Sequence, residues 1–142
     1  MRLIIAMLLM LSGYAYAGCE NIKDDDQRNY CRAQQSGNGC ENIKNDDMRN
    51  ACRAETGGSG CENIKDDDRR NYCRAKQRGN GCENIKNDDM RNACRAETGG
   101  GSGCENIKDD DQRNYCRAKQ SGNGCENIHN DDLRNQCRSV TP

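Results

Sequence analysis

The chain predicts a small all-α, disulfide-rich repeat array: six short helical modules with little core. Three observations carry that expectation. The stretch Gly18–Gln35, GCENIKDDDQRNYCRAQQ, returns in variant form at Gly39, Gly60, Gly81, Gly103 and Gly124, so a unit of about 21 residues fills nearly the whole sequence. Twelve cysteines recur at separations that alternate between 12 and 9 residues, with a single 10 where Gly101 is inserted. There is no Phe or Trp, β-branched residues are scarce, and nothing alternates apolar with polar, which argues against strands.

The first residues have the layout of a secretory signal peptide, assigned to 1–17. Arg2 is the basic start, Leu3–Leu11 the apolar stretch, and Ala15-Tyr16-Ala17 the cleavage motif before Gly18. The apolar run is shorter than the roughly 20 residues that span a bilayer. No second apolar run follows, so no membrane span is expected. Export to the periplasm or the extracellular space is the expected localisation. Without Arg2 the chain carries 21 basic and 23 acidic side chains, a net charge of −2. That balance excludes a nucleic-acid partner held by bulk charge.

With one Ile per unit, burial alone cannot build a sizeable core. In an exported chain the cysteines read as disulfides that supply what the core lacks. Each closed loop of about 13 residues removes roughly 3 kcal/mol of unfolded-state entropy in the chain-entropy model. A longer period is also visible. The first, third and fifth units read KDDD and NYC, whereas the second and fourth read KNDD and NAC. Gly-rich linkers at Gly57–Gly60 and Gly99–Gly103 divide the chain into repeat pairs 18–59, 60–102 and 103–142, the last with a C-terminal tail. The sixth unit departs at His129, Leu133 and Gln136, as a terminal cap does.

Within a unit, Cys19–Ile22 forms one helical turn. Asp24, or Asn45 in the second unit, is an N-cap followed by acids, and Gln27 stands at capping-box spacing. Early acids and late arginines suit the helix dipole, and Asp24–Arg28 is an i,i+4 pair. Asp24–Gln34 therefore reads as a helix of about three turns, stopped by Gly37 or Gly57. On one straight helix, residues 12 apart stand about 18 Å apart, whereas a disulfide needs Cα atoms within about 7 Å. Pairing Cys19 with Cys31 thus requires a break at Lys23-Asp24, where the cap lies. The favoured scheme repeats this pairing as Cys40–Cys52, Cys61–Cys73, Cys82–Cys94, Cys104–Cys116 and Cys125–Cys137, with Ile22 and Tyr30 beneath the staple. The competing scheme keeps the unit straight and links neighbours through Cys31–Cys40 and Cys19–Cys52. Spacing alone leaves both open. Little apolar surface remains between units, so rigid stacking is not expected.

The pattern C-x-x-I-x-[DN]-D-D-x-R-N-x-C-R, carried by Cys19, Ile22, Asp26, Arg28, Asn29, Cys31, Arg32 and Ala33 and their counterparts, resembles a short repeat of small exported bacterial proteins of unassigned function. It covers Gly18 to about Arg138, with Ser139 departing from the usual Ala. The resemblance implies bacterial export and a small helical module, and no activity.

Three groups of residues could carry chemistry. The acidic clusters, with Asp24, Asp26, Asp66, Asp68, Asp109 and Asp111 as candidate ligands, offer hard oxygens suited to Ca²⁺. They lack the EF-hand alternation, and adjacent side chains on a helix diverge by about 100°. Capping accounts for them more simply. The cysteines contain no C-x-x-C and there is one His, which disfavours zinc and thiol redox chemistry. Serines lie in linkers or the tail, and no phosphate-binding loop or apolar pocket for a tuned carboxylate is evident. No cofactor is expected, and the chain reads as non-enzymatic. The third group is a ladder of Arg28, Arg32, Arg49, Arg53, Arg70, Arg74, Arg91, Arg95, Arg113, Arg117, Arg134 and Arg138, interleaved with Asn. It could grip a repetitive acidic or glycan ligand, or pair with the chain's own acids.

The functional expectation is a structural or multivalent binding role at the cell envelope or outside the cell, toward an envelope, matrix or host-surface component. The alternatives are a calcium-binding repeat module and a secreted inhibitor or antimicrobial-type peptide array.

Overall fold

Each unit folds as its caps dictate. In the computed structural model, which describes residues 18–99 and 103–141, six helices recur: α1 (Asp25–Ser36), α2 (Asp46–Gly57), α3 (Asp67–Arg78), α4 (Asp88–Thr98), α5 (Asp110–Ser121) and α6 (Asp131–Val140). The leader assigned to 1–17 lies outside the described residues. Among those described there is no strand, and no helix is long and apolar enough to cross a membrane. A short 3-10 turn precedes each of α2–α6, as at Cys40–Asn42, and residues 18–20 are helical before α1.

The break at Lys23-Asp24 is present. Asp24 has extended backbone and its carboxylate accepts from the Gln27 amide, and Asn45, Asp66, Asn87, Asp109 and Asn130 do the same. At the far end Gly37 takes φ 81°, a left-handed conformation that any side chain would strain. In α2 the stop falls on Gly58 rather than Gly57, because Gly57 completes the last turn. The fold-back brings Cys19 and Cys31 to a Cα separation of 5.6 Å, joined as a disulfide. The other five units join their own two cysteines at the same separation of 12 residues. No cysteine is free.

The units stack, contrary to the expectation from apolar content, because the core is built across the joints. Ala33 of α1 is fully buried in a cluster with Cys40, Ile43 and Cys52 of the next unit. Ala54, Ala75, Ala96 and Ala118 repeat the insertion. An alanine is enough, since the disulfide and one Ile form the rest of the cluster. Tyr30 follows Ala33 across the joint and packs on the next unit's cluster, not beneath its own staple.

Polar contacts lock the same joint. Asp26 accepts from the Lys44 and Asn45 amides at 2.8 and 2.9 Å, and the Asn29 amide donates to the Asn42 carbonyl at 3.3 Å. These contacts recur through Asp47, Asp68, Asp89 and Asp111. They also explain why the capping box is only half made. The amide of Asp24, which a Gln27 side chain would satisfy, is taken by a neighbour's Asp.

That neighbour is the sixth unit. Asp132 accepts from the Lys23 and Asp24 amides at 2.8 and 3.2 Å, and Asn135 donates to the Asn21 carbonyl at 3.3 Å. Rather than capping the array, the sixth unit docks on the first with the contact that every other pair makes. The chain is a closed ring. Six equivalent head-to-tail steps that close imply about 60° per unit. The seam has its own fit: Ser139 stands where other units have Ala, and a Cβ on Gly18 would lie 2.9 Å from that of Ser139.

Replacing Asp132 with Ala removes two amide acceptors at the seam and leaves the local helix cap on Asn130 intact. The expected loss is about 1 kcal/mol, roughly 4 °C in Tm, with faster deuterium exchange confined to the Lys23 and Asp24 amides. Exchange that does not change there would contradict ring closure.

Candidate functional site

The repeated polar residues are engaged within the protein. Asp24 caps its helix, Asp25 pairs with Arg28 at 2.6 Å, and Asp26 reaches the next unit. The three carboxylates thus point three ways. Asp66, Asp68, Asp109 and Asp111 follow the same division. Among the described residues no group of three His, Cys, Asp or Glu side chains converges to hold a metal ion. Arg28 pairs with Asp25 at i,i+3 rather than with Asp24, because its second nitrogen donates to the Ile22 carbonyl at 2.9 Å and straps the short turn to the helix. Arg49, Arg70, Arg91, Arg113 and Arg134 make the same strap.

Arg32 lies on the helix face opposite the ring axis and donates two bonds to Glu20. Arg53, Arg74, Arg95, Arg117 and Arg138 pair with Glu41, Glu62, Glu83, Glu105 and Glu126. These Arg–Glu pairs stay in solvent; the Arg32 and Glu20 side chains are 42% and 53% exposed. Six similar Arg–Glu faces therefore stand around the outside. His129 replaces a Lys, keeps the amide bond to Asp111, and leaves its ring exposed.

Residues to which the sequence reading gave other roles, such as Gln27 and Tyr30, or none, such as Met48 and Arg69, meet on the axis. Positions i, i+3 and i+7 of each helix share one face, and all six units contribute to a central cavity of about 840 Å³. The first layer holds Gln27, Met48, Arg69, Met90, Gln112 and Leu133. The second alternates Tyr30, Tyr72 and Tyr115 with Ala51 and Ala93, and has Gln136 in the sixth place. Alternation is what the space requires: three phenol rings fit around an axis when small residues separate them.

The third layer runs Gln34, Glu55, Lys76, Glu97, Lys119 and Val140 along the same face. It forms a chain of contacts. Gln34 donates to Glu55 at 2.8 Å. Lys76 pairs with Glu55 at 3.2 Å and approaches Glu97 at 3.9 Å. Lys119 pairs with Glu97 at 2.9 Å, and the chain then stops at Val140. Lys76 and Lys119 also lie over the Tyr72 and Tyr115 rings, at 5.8 and 5.5 Å from the centroids.

The electrostatics follow. Burial pushes the Tyr115 phenol up to about 12, with Glu97 adding to the effect. Burial raises Tyr30 and Tyr72 further, and the neighbouring Glu55 and Glu97 add to it by charge and by accepting the phenol hydrogen bonds. Burial opposes ionisation of Glu97, but Lys119 and Lys76 outweigh it and hold the carboxyl low. At the joints, the amides of Lys44, Lys65 and His129 hold Asp26, Asp47 and Asp111 below the usual carboxylate range, aided by the amides that follow them.

The signal for this axial face was present in the sequence. Tyr against Ala and Lys against Glu alternate at fixed places in successive units, but the alternation has meaning only once the ring closes. No protein-family model matches the chain, and neither a curated protein nor a solved structure matches it.

Two pH limbs are expected in a series of Tm measurements. The depressed aspartates favour the fold above their unfolded values, near pH 4, and that contribution is lost as pH falls through the lower folded values. The raised tyrosines favour the fold below their unfolded values, near pH 10, and that contribution is lost as pH rises beyond them. Absorbance titration of the chain from Gly18, whose tyrosines are Tyr30, Tyr72 and Tyr115, should show no phenolate near pH 10 while the ring is folded. Ordinary tyrosine titration there would contradict the buried axial layer.

Proposed function

We propose that this chain is an exported, non-enzymatic binding module, a disulfide-stapled ring that acts at the cell envelope or outside the cell. The oxidising compartment is supported by six disulfides with no free thiol. Export is supported by the leader read at 1–17.

One observation carries the binding role. Closure spends the repeated Asp and Asn side chains and the inner arginines on the ring itself. The outer set of six Arg–Glu faces, presented at regular intervals around the rim of the ring, stays exposed to a partner, as do repeated lysines such as Lys65. Such a rim suits a repetitive surface, such as a glycan or an acidic matrix polymer, through many weak contacts whose avidity exceeds that of any one. Rigid presentation adds to the effect, because no linker entropy is lost when successive faces engage. The non-enzymatic part of the reading comes from the sequence, with its single His and its serines in linkers or the tail.

Crosslinking in the producing cells, with the exported protein as bait, tests this reading. A single surface or matrix component should be recovered. Replacing Arg32, Arg74 and Arg117 together with Ala should weaken its binding about 10²-fold, the loss of the avidity that alternate faces supply, whereas each single replacement should have a much smaller effect. Recovery of the protein alone would favour a scaffold, and binding untouched by the triple replacement would move the contact off the rim.

A further inference from the structure

Asparagines that cap helices or tie joints are held by those contacts. In the third unit Asn71 donates to the Asn84 carbonyl, and Asn87 caps α4. Three others stand apart. Asn38, Asn80 and Asn123 are exposed in the links that leave α1, α3 and α5, and each is followed by Gly. Gly39, Gly81 and Gly124 take positive φ, at 101°, 103° and 101°, as turns of this kind require. Their amides donate no hydrogen bond among the described residues. Such an amide has no side chain to shield it, and in water at neutral to alkaline pH its deprotonated nitrogen reaches the side-chain carbonyl carbon of the preceding Asn.

The three links differ in one place. Two residues before Asn38 and Asn123 stand Ser36 and Ser121, whose hydroxyls bond the helix carbonyls of Arg32 and Arg117 at 3.0 Å. The same hydroxyls lie 3.3 Å from the Asn side-chain oxygen and accept from the Asn backbone amide at 3.4 Å. Each serine thus gathers its Asn against the helix end. In the third unit Arg78 takes the serine's place. Among the described residues Arg78 makes no ion pair and the Asn80 side chain no hydrogen bond.

We propose that Asn80 is a self-modifying site, converted by the Gly81 nitrogen to aspartate or isoaspartate ahead of Asn38 and Asn123. The new bond joins the Gly81 nitrogen to Cγ of Asn80. The Cγ–Nδ2 bond breaks and ammonia leaves, giving a five-membered succinimide. Water then opens either carbonyl. The net change is water in and ammonia out, with no oxidant or reductant. Asn80 leads because its side chain has no bond to give up. The charge of Arg78 also favours loss of the Gly81 amide proton and the oxyanion formed on the side-chain carbonyl. The joint to the fourth unit lies elsewhere, in Asp68, Ala75 and Asn71. The ring therefore stays closed while its surface gains a carboxylate. With Asn38 and Asn123 following, the chain from Gly18 passes from a net charge of −2 to −5. The Thr-Gly-Gly links of the second and fourth units contain no Asn, so the added charge appears at alternate joints. The proposal is independent of the binding role.

Incubation of the oxidised chain from Gly18 in mildly alkaline buffer, followed by peptide mapping with mass spectrometry, tests it. The peptide holding Asn80 should show the amide-to-acid mass change first. Its rate should exceed those at Asn38 and Asn123 about fivefold, the weight of one hydrogen bond of ordinary net strength. Arg78→Ser gives the third link the QSGNG sequence of the first and fifth, which the fold already accommodates, and should slow Asn80 to their rate. Ser36→Ala should speed Asn38. Deuterium exchange at the Lys86 and Asn87 amides, which Asp68 holds, should be the same before and after conversion. An Asn80 that stays unmodified, three equal rates in the folded ring, a rate at Asn80 unmoved by Arg78→Ser, or faster exchange at Lys86 and Asn87 would overturn the proposal.

Discussion

Everything in this ring depends on one carboxylate with two amides. In each unit the third residue of the acidic cluster sits in the first helical turn and accepts from the two backbone N–H groups that lead into the next unit's helix, as Asp26 does from Lys44 and Asn45. That contact sets where the next helix begins and fixes its angle. It also satisfies donors that would otherwise need water or a side chain of their own unit. A chain with one Ile per unit has little apolar area with which to orient its neighbours. Directional hydrogen bonds supply the orientation, and the buried Ala and disulfide supply the close approach. The disulfides and the carboxylates thus divide the labour: the first close each unit, the second join the units.

Local structure was legible in the sequence because its causes are local. The cap at Asp24, the stop at Gly37 and the fold-back between Cys19 and Cys31 all arise within one unit, from backbone geometry and the reach of one side chain. Packing between units was not legible, for an equally physical reason. Asp26 has the same identity whether it compensates a helix dipole or binds a neighbour, and only position separates the two. Ala33 shows the same limit. An alanine carries too little area to announce a core position, yet it is fully buried because a disulfide lies against it. Tyr30 was read as cover for its own staple and instead serves the joint and the axis.

The two-unit period gains a physical meaning from closure. Along an open array, alternation of Tyr with Ala and of Lys with Glu would record only how the gene grew. Around an axis it becomes a steric and electrostatic requirement, since six tyrosines would overfill the centre and six like charges would repel. The sixth unit breaks the pattern at three layers, with Leu133, Gln136 and Val140. It therefore gives a nearly symmetric ring a distinguishable side, and the axis acquires a direction around its circumference as well as along it.

The seam carries a further consequence. Five of the six joints connect units that are already neighbours in sequence, so the chain holds them together even when their contacts break. The joint between Asp132 and Lys23 has no such tether. When it opens, the molecule has two complementary ends: the α6 face at one, the amides of Lys23 and Asp24 at the other. A step that closes at six units leaves no place for a seventh, so the two ends of an opened molecule meet their best partner in each other. The chain length and the joint angle are therefore matched: six units are what this joint can use, and the unlinked seam closes without a covalent bond across it.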